Sequence, residues 1–257
     1  MKISFAYYTN VGKVRKNNED ALLVMDEIIS EESLDDCKEG QQEGQEFLFV
    51  VADGMGGHEK GEVASRIVLE TMKSNKDKAY ENIEEVLNKA KKELDKYAKE
   101  NPSAFNMGCA VAGIVIRKDK AKVFNVGDCR VYRFINNRLI RLTKDHSMVE
   151  RLVSEGVIDE DQVRTHPKRN VLTSAIMADL SEHITEIYVN EIDILDGDTF
   201  LICSDGVWDE LENEEIKEAL LEQNQREVSG QDCSLLDKMS ETPQRDNFSF
   251  IILKVED

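Results

Sequence analysis

The sequence predicts an α+β fold in which two stacked, mainly antiparallel β-sheets are flanked by helix pairs, as a four-layer α/β sandwich. Predicted strands follow one another as hairpins, predicted helices come in pairs, and their apolar faces have to be covered by a neighbouring layer. A doubly wound parallel sheet would need strands and helices to alternate regularly, and that alternation is missing. No repeat, linker or sharp change of composition divides the chain, which predicts a single domain over 1–257.

The first hundred residues are predicted to contain three strands and two helices. Short strands are expected over 4–9 and 20–25, and the acidic stretch 26–46 is expected to be an exposed loop or a loose hairpin. The continuous apolar run 47–52 predicts a buried strand that ends at Asp53. Apolar residues at helical spacing predict the two helices, with Val63, Ala64, Ile67, Val68 and Met72 on one face of the first and Ile83, Val86, Leu87, Ala90, Leu94, Tyr97 and Ala98 on one face of the second.

Strand patterns return in the rest of the chain and are interrupted by polar segments. The segment 157–168 is polar and predicts a mobile flap, which with the preceding short helix spans roughly 147–168. Strands are predicted over 111–116, 122–126, 131–135, 138–142, 184–188, 199–203 and 248–255, and helices over 147–155, 214–223 and around 235–239.

The composition excludes several classes of function. Asp and Glu total 52 against 33 Lys and Arg, and a formal net charge of -19 argues against nucleic acid and anionic membranes as partners. No segment is apolar enough for a signal peptide or a membrane span. The five cysteines are odd in number and show no CxxC spacing, which predicts free thiols in a reduced, cytoplasmic protein.

Acidic residues stand repeatedly at the ends of apolar strands. Any one of them could be a turn former or a helix cap, and for a single residue that alternative stays open. Five such sites on separate strands, with Glu19 and Asp20 counted as one site, favour a shared role, because buried carboxylates are costly unless a charge compensates them. The residues are Asp53, Asp128 and Asp205 after strands, and Glu19, Asp20 and Asp246 at strand starts.

Converging carboxylates repel one another unless cations lie between them. Oxygen ligands select hard ions, so Mg²⁺ and Mn²⁺ are the candidates, and Ca²⁺ is less suited to chemistry. Two such ions about 4 Å apart can clamp a phosphate oxygen and generate a hydroxide nucleophile. The glycine after Asp53 also allows a main-chain carbonyl, that of Gly54, to serve as a ligand.

These motifs resemble those of the PPM-type (type 2C) metal-dependent serine/threonine phosphatases in their bacterial form. They follow the family order across nearly the whole chain, and the second is very specific. The matching segments are RKNNED at 15–20, VADGMGGH at 51–58, VGDCR at 126–130, LTKDHS at 142–147, HPKRNVLT at 166–173, SDGVWD at 204–209 and the pair Asp246-Asn247.

The resemblance implies a role for each matching residue. Asp53 would bridge two Mn²⁺ or Mg²⁺ ions, Asp205 and Asp246 would complete the first site, and the Gly54 carbonyl would serve the second, with Glu19 and Asp20 acting there through water. A weaker third ion would lie at Asp128, Asp205 and Asp209. Arg15 would grip the substrate phosphate as a planar fork, which suits arginine better than lysine.

The reaction implied by the resemblance is hydrolysis of phosphoserine and phosphothreonine in proteins by a metal-activated water, without a phosphoenzyme. Phosphorylated proteins and a cognate serine/threonine kinase are the implied partners, and a monomer is expected. A weakly catalytic module that binds phosphorylated partners and a hydrolase of small phosphate esters remain the alternatives. No GxxxxGK[ST] loop is present, which argues against an NTPase.

Several positions depart from the family pattern or invite a structural explanation. Met55 stands where animal members carry a histidine thought to act as the general acid, so the acid that protonates the leaving group is unassigned, and His58 is expected to be structural. Met177 replaces a common glycine, and residues 244–249 differ from the usual lead into the last strand. Core roles are expected for Cys203 and Trp208, and pairing with an internal carboxylate for Arg130.

Overall fold

The computed structural model describes residues 1–56, 60–225 and 233–256. In this part of the chain there are thirteen strands, seven α-helices and two 3₁₀ helices, the latter at Pro102–Ala104 and Glu160–Thr165. The strands are β1 (Lys2–Asn10), β2 (Asp20–Val24), β3 (Glu27–Ser30), β4 (Lys38–Glu43), β5 (Glu46–Met55), β6 (Gly108–Arg117), β7 (Lys120–Val126), β8 (Arg130–Ile135), β9 (Arg138–Arg141), β10 (Ile176–Met177), β11 (Tyr188–Asp193), β12 (Thr199–Cys203) and β13 (Phe248–Glu256). The α-helices are α1 (Gly61–Ser74), α2 (Lys76–Ala79), α3 (Ile83–Glu100), α4 (Met148–Ser154), α5 (Asp205–Trp208), α6 (Asn213–Gln225) and α7 (Ser234–Ser240).

The strands form two antiparallel sheets that pack face to face. The first sheet has the order β4-β1-β13-β12-β8-β9, and the second has the order β11-β7-β6-β5-β2-β3, with β10 paired to β6. Helices α1 and α3 cover the outer face of the second sheet, and α6 and α7 cover the outer face of the first. The predicted α+β sandwich of four layers is therefore confirmed.

Strand β5 shows why a continuous apolar run is needed in the middle of this architecture. Phe47, Phe49 and Val51 face the core between the two sheets. Leu48 and Val50 alternate with them and face the helical layer of α1 and α3. Because both faces of the strand are covered, polar residues have no favourable position along it.

Two sequence predictions about strands are wrong. The expected strand at 184–188 is instead β11, which begins at Tyr188. Residues 184–187 are held by other bonds, since the Ile184 amide donates to Asn88 Oδ1 and the Glu186 amide donates to Ser174 Oγ. Strand β11 is an edge strand with partly exposed side chains, so it lacks the apolar signal of a buried strand.

The acidic stretch 26–46 is neither a loop nor a hairpin. It contains β3, which pairs with β2 in the second sheet, and β4, which pairs with β1 in the first. Both lie at sheet edges, and β4 has no buried residue, so polar residues suffice to form it. The stretch thus connects the two sheets rather than projecting from one.

The remaining predicted strands and helices are confirmed with small changes at their ends, whereas the mobility predicted for the flap stays a prediction. The segment 147–168 contains α4 and the 3₁₀ helix Glu160–Thr165, and Ser147 caps α4 by accepting from the amide of Glu150. None of the helices in the described ranges is long and apolar enough to cross a membrane.

Candidate active site

Two aspartates face each other at the centre of the second sheet. Asp20 begins β2 and Asp53 lies near the end of β5, and the antiparallel register places them directly opposite each other. Directly opposed residues in such a ladder have Cβ atoms only about 5 Å apart. The pairing of two buried strands therefore brings together two carboxylates that are 33 residues apart in the sequence.

The first sheet supplies further carboxylates at its own strand ends. Asp205 is the first residue of α5, separated from the end of β12 by a single residue, and its carboxyl group lies close enough to that of Asp53 for the two to share a proton. Asp246 lies just before β13, and Asp128 lies in the turn between β7 and β8. The two sheets thus contribute to one acidic pocket, which is defined here by Asp20, Asp53, Asp128, Asp205 and Asp246.

The carboxylates of this pocket hold their protons more tightly than ordinary aspartates. Burial and repulsion from Asp205 and Asp246 raise the pKa of Asp20 to about 7, although hydroxyl donors oppose the rise. Burial and repulsion from Asp246 raise the pKa of Asp205 to about 6. Burial, followed by repulsion from Asp205, also raises the pKa values of Asp53 and Asp128 well above the usual range.

A chain of small polar side chains supports Asp20 from behind. The Ser204 hydroxyl donates to Asp20 Oδ2 at 2.8 Å, and Ser204 Oγ accepts from the Ser249 amide at 3.0 Å. Ser249 Oγ lies 2.7 Å from Thr9 Oγ1, which accepts from Asn18 Nδ2 at 2.8 Å. Asn18 and Ser204 lie within the matching motif segments, where no role was predicted for them, and the only signal of Thr9 and Ser249 is polar character inside the otherwise apolar strands β1 and β13.

The backbones of Gly54 and Glu19 lie in close contact. The Gly54 amide donates to the Glu19 carbonyl at 3.1 Å, and a Cβ atom on Gly54 would collide with the carbonyl oxygens of Gly61 and Glu19. Burial and repulsion from Glu62 raise the pKa of the Glu19 carboxyl. Glu62, in the first turn of α1, was not predicted as a site residue, and one of its carboxylate oxygens is buried without a hydrogen-bond partner.

Arg15 lies at the mouth of the pocket. Its guanidinium contacts Asp246 Oδ2 at 2.6 Å, and about half of its side chain is exposed. Asn247 fixes the adjacent backbone because its side chain donates to the carbonyls of Val11 and Asn17 and accepts from the Glu19 amide. A cationic fork is therefore available at the open edge of an otherwise anionic pocket.

Asp209 lies at the edge of this group. It follows α5, and both of its oxygens accept from Arg169 Nη1 at 2.5 and 2.6 Å. Its negative charge still reaches Asp205, whose pKa it helps to raise. The structure therefore places Asp209 beside the pocket but pairs it with an arginine, a contact that the sequence analysis did not anticipate.

Arg130 and Trp208 have the structural roles that were expected of them. The Arg130 guanidinium is buried and binds Asp145 through Nε and Nη2, with the shortest contact at 2.6 Å. It also stacks 3.6 Å from the centre of the Trp208 ring, and the Trp208 indole donates to the Asp128 carbonyl at 3.0 Å. Cys203 is likewise fully buried in the core, as predicted.

The donor set of the pocket fits hard divalent cations. Asp20 Oδ1 is buried and has no hydrogen-bond partner, and the mutual repulsion of the carboxylates exceeds the compensation that Arg15 provides at the rim. In the described part of the chain, no three His, Cys, Asp or Glu side chains already form a group with metal-binding geometry. Other carboxylate oxygens of the pocket contact a hydroxyl or Arg15, so metal binding requires those oxygens to exchange these partners.

Three further residues either depart from the family pattern or were expected from the sequence to be structural. His58 lies outside the described residues. Met55 ends β5 and packs against the core between the sheets. Met177 pairs with Gly108 on the neighbouring strand, and its sulfur occupies the space that a side chain on Gly108 would need.

Solved structures of bacterial phosphatases share this fold over their whole length. The Mycobacterium tuberculosis serine/threonine phosphatase PstP is 25% identical, with all of both chains covered and a TM-score of 0.80. Serine/threonine phosphatase Stp1 from Staphylococcus aureus is 27% identical, with 98% of this chain and 95% of that chain covered and a TM-score of 0.78. The class defined by the fold and the acidic pocket is thus that of the bacterial serine/threonine phosphatases.

The sequence comparisons identify the family. Residues 28–241 match the family model for protein phosphatase 2C. The serine/threonine phosphatase stp of Listeria welshimeri is 28% identical over 257 positions, which cover 96% of this chain and 94% of that protein. The chain belongs to the protein phosphatase 2C family, and the resemblance to bacterial PPM-type phosphatases is confirmed.

Proposed function

We propose that the acidic pocket removes phosphate from phosphoserine and phosphothreonine in proteins with the help of Mn²⁺ or Mg²⁺. The chain is a protein serine/threonine phosphatase by family, and its relatives in Listeria and Mycobacterium carry that name. The observation that carries the proposal is the meeting of carboxylates from both sheets, where Asp20 and Asp128 are buried and the others are partly buried, with an arginine at the rim. A structural relative, PstP, has been solved in complex with two manganese ions.

The pocket residues divide into two proposed core metal sites. Asp53 would serve both ions, Asp205 and Asp246 would complete the first, and the Gly54 carbonyl with Glu19 and Asp20 would serve the second. This division is supported by the opposed positions of Asp20 and Asp53 and by the closeness of the Asp53 and Asp205 carboxyl groups. A weaker third ion would bind Asp128, Asp205 and Asp209, and Asp209 would have to exchange Arg169 for the ion.

Bound divalent ions would neutralise the phosphoryl oxygens and lower the pKa of a water molecule for attack on phosphorus. The protein's own contribution is to position the substrate. Arg15, released from Asp246, would bind two phosphoryl oxygens with its planar guanidinium. Ser204 and Ser249 would hold the Asp20 carboxylate in place through the hydroxyl network behind it.

The domain organisation, oligomeric state, location and partners of the enzyme are also part of the proposal. The whole chain would act as one catalytic domain and as a monomer in the cytoplasm, where a serine/threonine kinase would supply its phosphorylated substrates. The high negative charge of the protein is consistent with phosphoproteins as partners only if cations or Arg15 meet the phosphate. Phosphorylated proteins as the substrate class follow from the family itself.

The deciding experiment is phosphate release from a phosphothreonine peptide in EDTA, in Mn²⁺ and in Mg²⁺. Release should require a divalent ion and return when the ion is restored. Asp53→Asn and Asp205→Asn should keep the fold but lose turnover and calorimetric Mn²⁺ binding, because each removes a charge from the pocket. Asp193→Asn, at an exposed position of β11, is the matched control. Activity in metal-free buffer, or Mn²⁺ binding unchanged in Asp53→Asn, would refute the proposal.

A further inference from the structure

The loop that carries Arg15, residues 11–18, is basic in a chain that is otherwise acidic. Asp and Glu outnumber Lys and Arg by 52 to 33 overall, yet this loop contains Lys13, Arg15 and Lys16 and no carboxylate. All three residues are exposed. The Lys13 ammonium donates to the Thr242 carbonyl at 3.2 Å, and among the described residues neither lysine has a carboxylate within ion-pair distance. Two positive charges next to Arg15 are therefore free to pair with a ligand.

The backbone of this loop is held in place at both ends. The Asn247 side chain donates to the carbonyls of Val11 and Asn17, both at 3.0 Å. Gly12 has a φ of +74°, and it packs so closely against the Asp246 carbonyl that a Cβ atom would collide with it. A loop fixed in this way presents its charges at set distances from Arg15 and loses little conformational freedom when a ligand binds.

Arg245 adds a third cation beside the loop. The Lys13 amide donates at 2.9 Å to the carbonyl of Gln244, the residue before Arg245. The Arg245 side chain is 70% exposed, whereas Glu210, its ion-pair partner at 3.4 Å, is only 7% exposed. A ligand that approaches from solvent therefore meets the cation rather than its partner. Together, Lys13, Lys16 and Arg245 form a cationic rim that flanks Arg15.

An acidic groove also borders Lys16. It is lined by Glu31, Glu32 and Glu62, which would suit a basic ligand. Its negative charge is already offset in part, because Arg66 pairs with Glu31 at 3.4 Å and Lys16 lines the same groove. The groove is thus the weaker candidate, and a preference for basic ligands is the outcome that would favour it.

We propose that the cationic rim binds acidic side chains that flank the phosphorylated residue, so that the enzyme prefers acidic phosphopeptides. The proposal rests on the proposed function, in which Arg15 binds the phosphate. Lys13 lies two residues and Lys16 one residue from Arg15, so their Cα atoms are at most about 7 Å and about 4 Å from that of Arg15. A substrate chain advances by about 3.5 Å per residue, so an Asp or Glu within three positions of the phosphorylated residue can reach one of these ammonium groups.

The contacts at the rim have more influence on a bound peptide than the net charge of the protein. Salt screens interactions between exposed charges that are more than about 8 Å apart at physiological ionic strength, which covers most of the formal charge of -19. An exposed ion pair changes an affinity by about 1.5- to fivefold. Two or three such pairs give an expected preference of roughly three- to tenfold for an acidic peptide over a neutral one.

The test compares three phosphothreonine peptides of equal length, with Glu, Ala or Lys at the positions that flank the phosphothreonine. In Mn²⁺, kcat/KM for phosphate release should be highest for the Glu peptide, and its advantage should shrink as sodium chloride is added. The double variant Lys13→Glu/Lys16→Glu should abolish or invert this order. Lys92→Glu, at an exposed position of α3 in the helical layer outside the second sheet, is the matched control and should keep it.

The same peptides are titrated into the protein in EDTA and followed by fluorescence anisotropy, which measures binding without turnover. The Kd values should follow the same order, so the cationic rim is tested even if no phosphate is released. Equal values for the three peptides, a preference for the Lys peptide, or a preference for the Glu peptide that the double variant retains would overturn the proposal. Metal-dependent phosphate release with equal efficiency from all three peptides would leave the proposed function intact.

Discussion

The crowding of carboxylates in the acidic pocket predicts that the metal-free protein loses stability as the pH rises. Asp20 and Asp205 have pKa values of about 7 and about 6 in the folded protein, against 3.8 for an ordinary, solvent-exposed aspartate. Between pH 4 and pH 7 the folded state therefore binds more protons than the unfolded state. The stabilisation from this protonation is complete below pH 3.8 and is lost as the pH passes through 6 to 7.

The size of the effect follows from the linkage relation. Raising the pH from about 5 to about 7.5 removes roughly 2.5 kcal/mol through Asp20 and roughly 1.4 kcal/mol through Asp205. Because the two groups are coupled, about 2 to 4 kcal/mol is the expected total, or a fall of about 5 to 15 °C in melting temperature for a chain of this size. His146 acts in the opposite direction, since burial lowers its pKa and the folded state favours the neutral ring.

The assay is differential scanning fluorimetry across this pH range in EDTA and in excess Mn²⁺. The melting temperature in EDTA should fall with pH, and Mn²⁺ should remove the fall, because the ions replace the protons. Asp20→Asn should lose more than half of the slope, whereas Asp193→Asn, which is exposed, should retain it. A melting temperature in EDTA that stays level or rises with pH would show that these carboxylates are not crowded in the folded protein.

Three further predictions concern single side chains. Arg15→Ala should raise KM for a phosphopeptide by about tenfold or more, with Arg15→Lys intermediate, because only arginine offers a planar fork; steady-state kinetics that match the wild type would exclude Arg15 from phosphate binding. Gly54→Ala should lower the melting temperature by several degrees, since its methyl would meet two carbonyl oxygens, whereas a methyl on Gly56 would make only ordinary van der Waals contacts and Gly56→Ala should cost less. Arg130→Ala should reduce the free energy of unfolding in urea by about 3 to 5 kcal/mol, because it removes the close partner of the buried Asp145 and leaves only Arg141, at 3.6 Å, and a loss below 1 kcal/mol would show that the Arg130–Asp145 pair is dispensable.

Local patterns in the sequence sufficed for elements whose faces are buried. The helical spacing of apolar residues predicted α1 and α3, and the run 47–52 predicted the centre of β5. These predictions held because burial on a defined face imposes a period on the residues themselves. Edge strands β4 and β11 impose no such period, since one side of each is open to solvent, and they were missed.

The sequence alone identifies the acidic residues of the pocket, because each stands where an apolar strand begins or ends. Which of them meet was decided by the register of β2 against β5 and by the stacking of the two sheets, which set Asp205 against Asp53. The same packing paired Asp209 with Arg169. Contacts of this kind join residues that are far apart in the sequence. No short stretch of sequence contains the information that sets them, so only the tertiary structure could determine them.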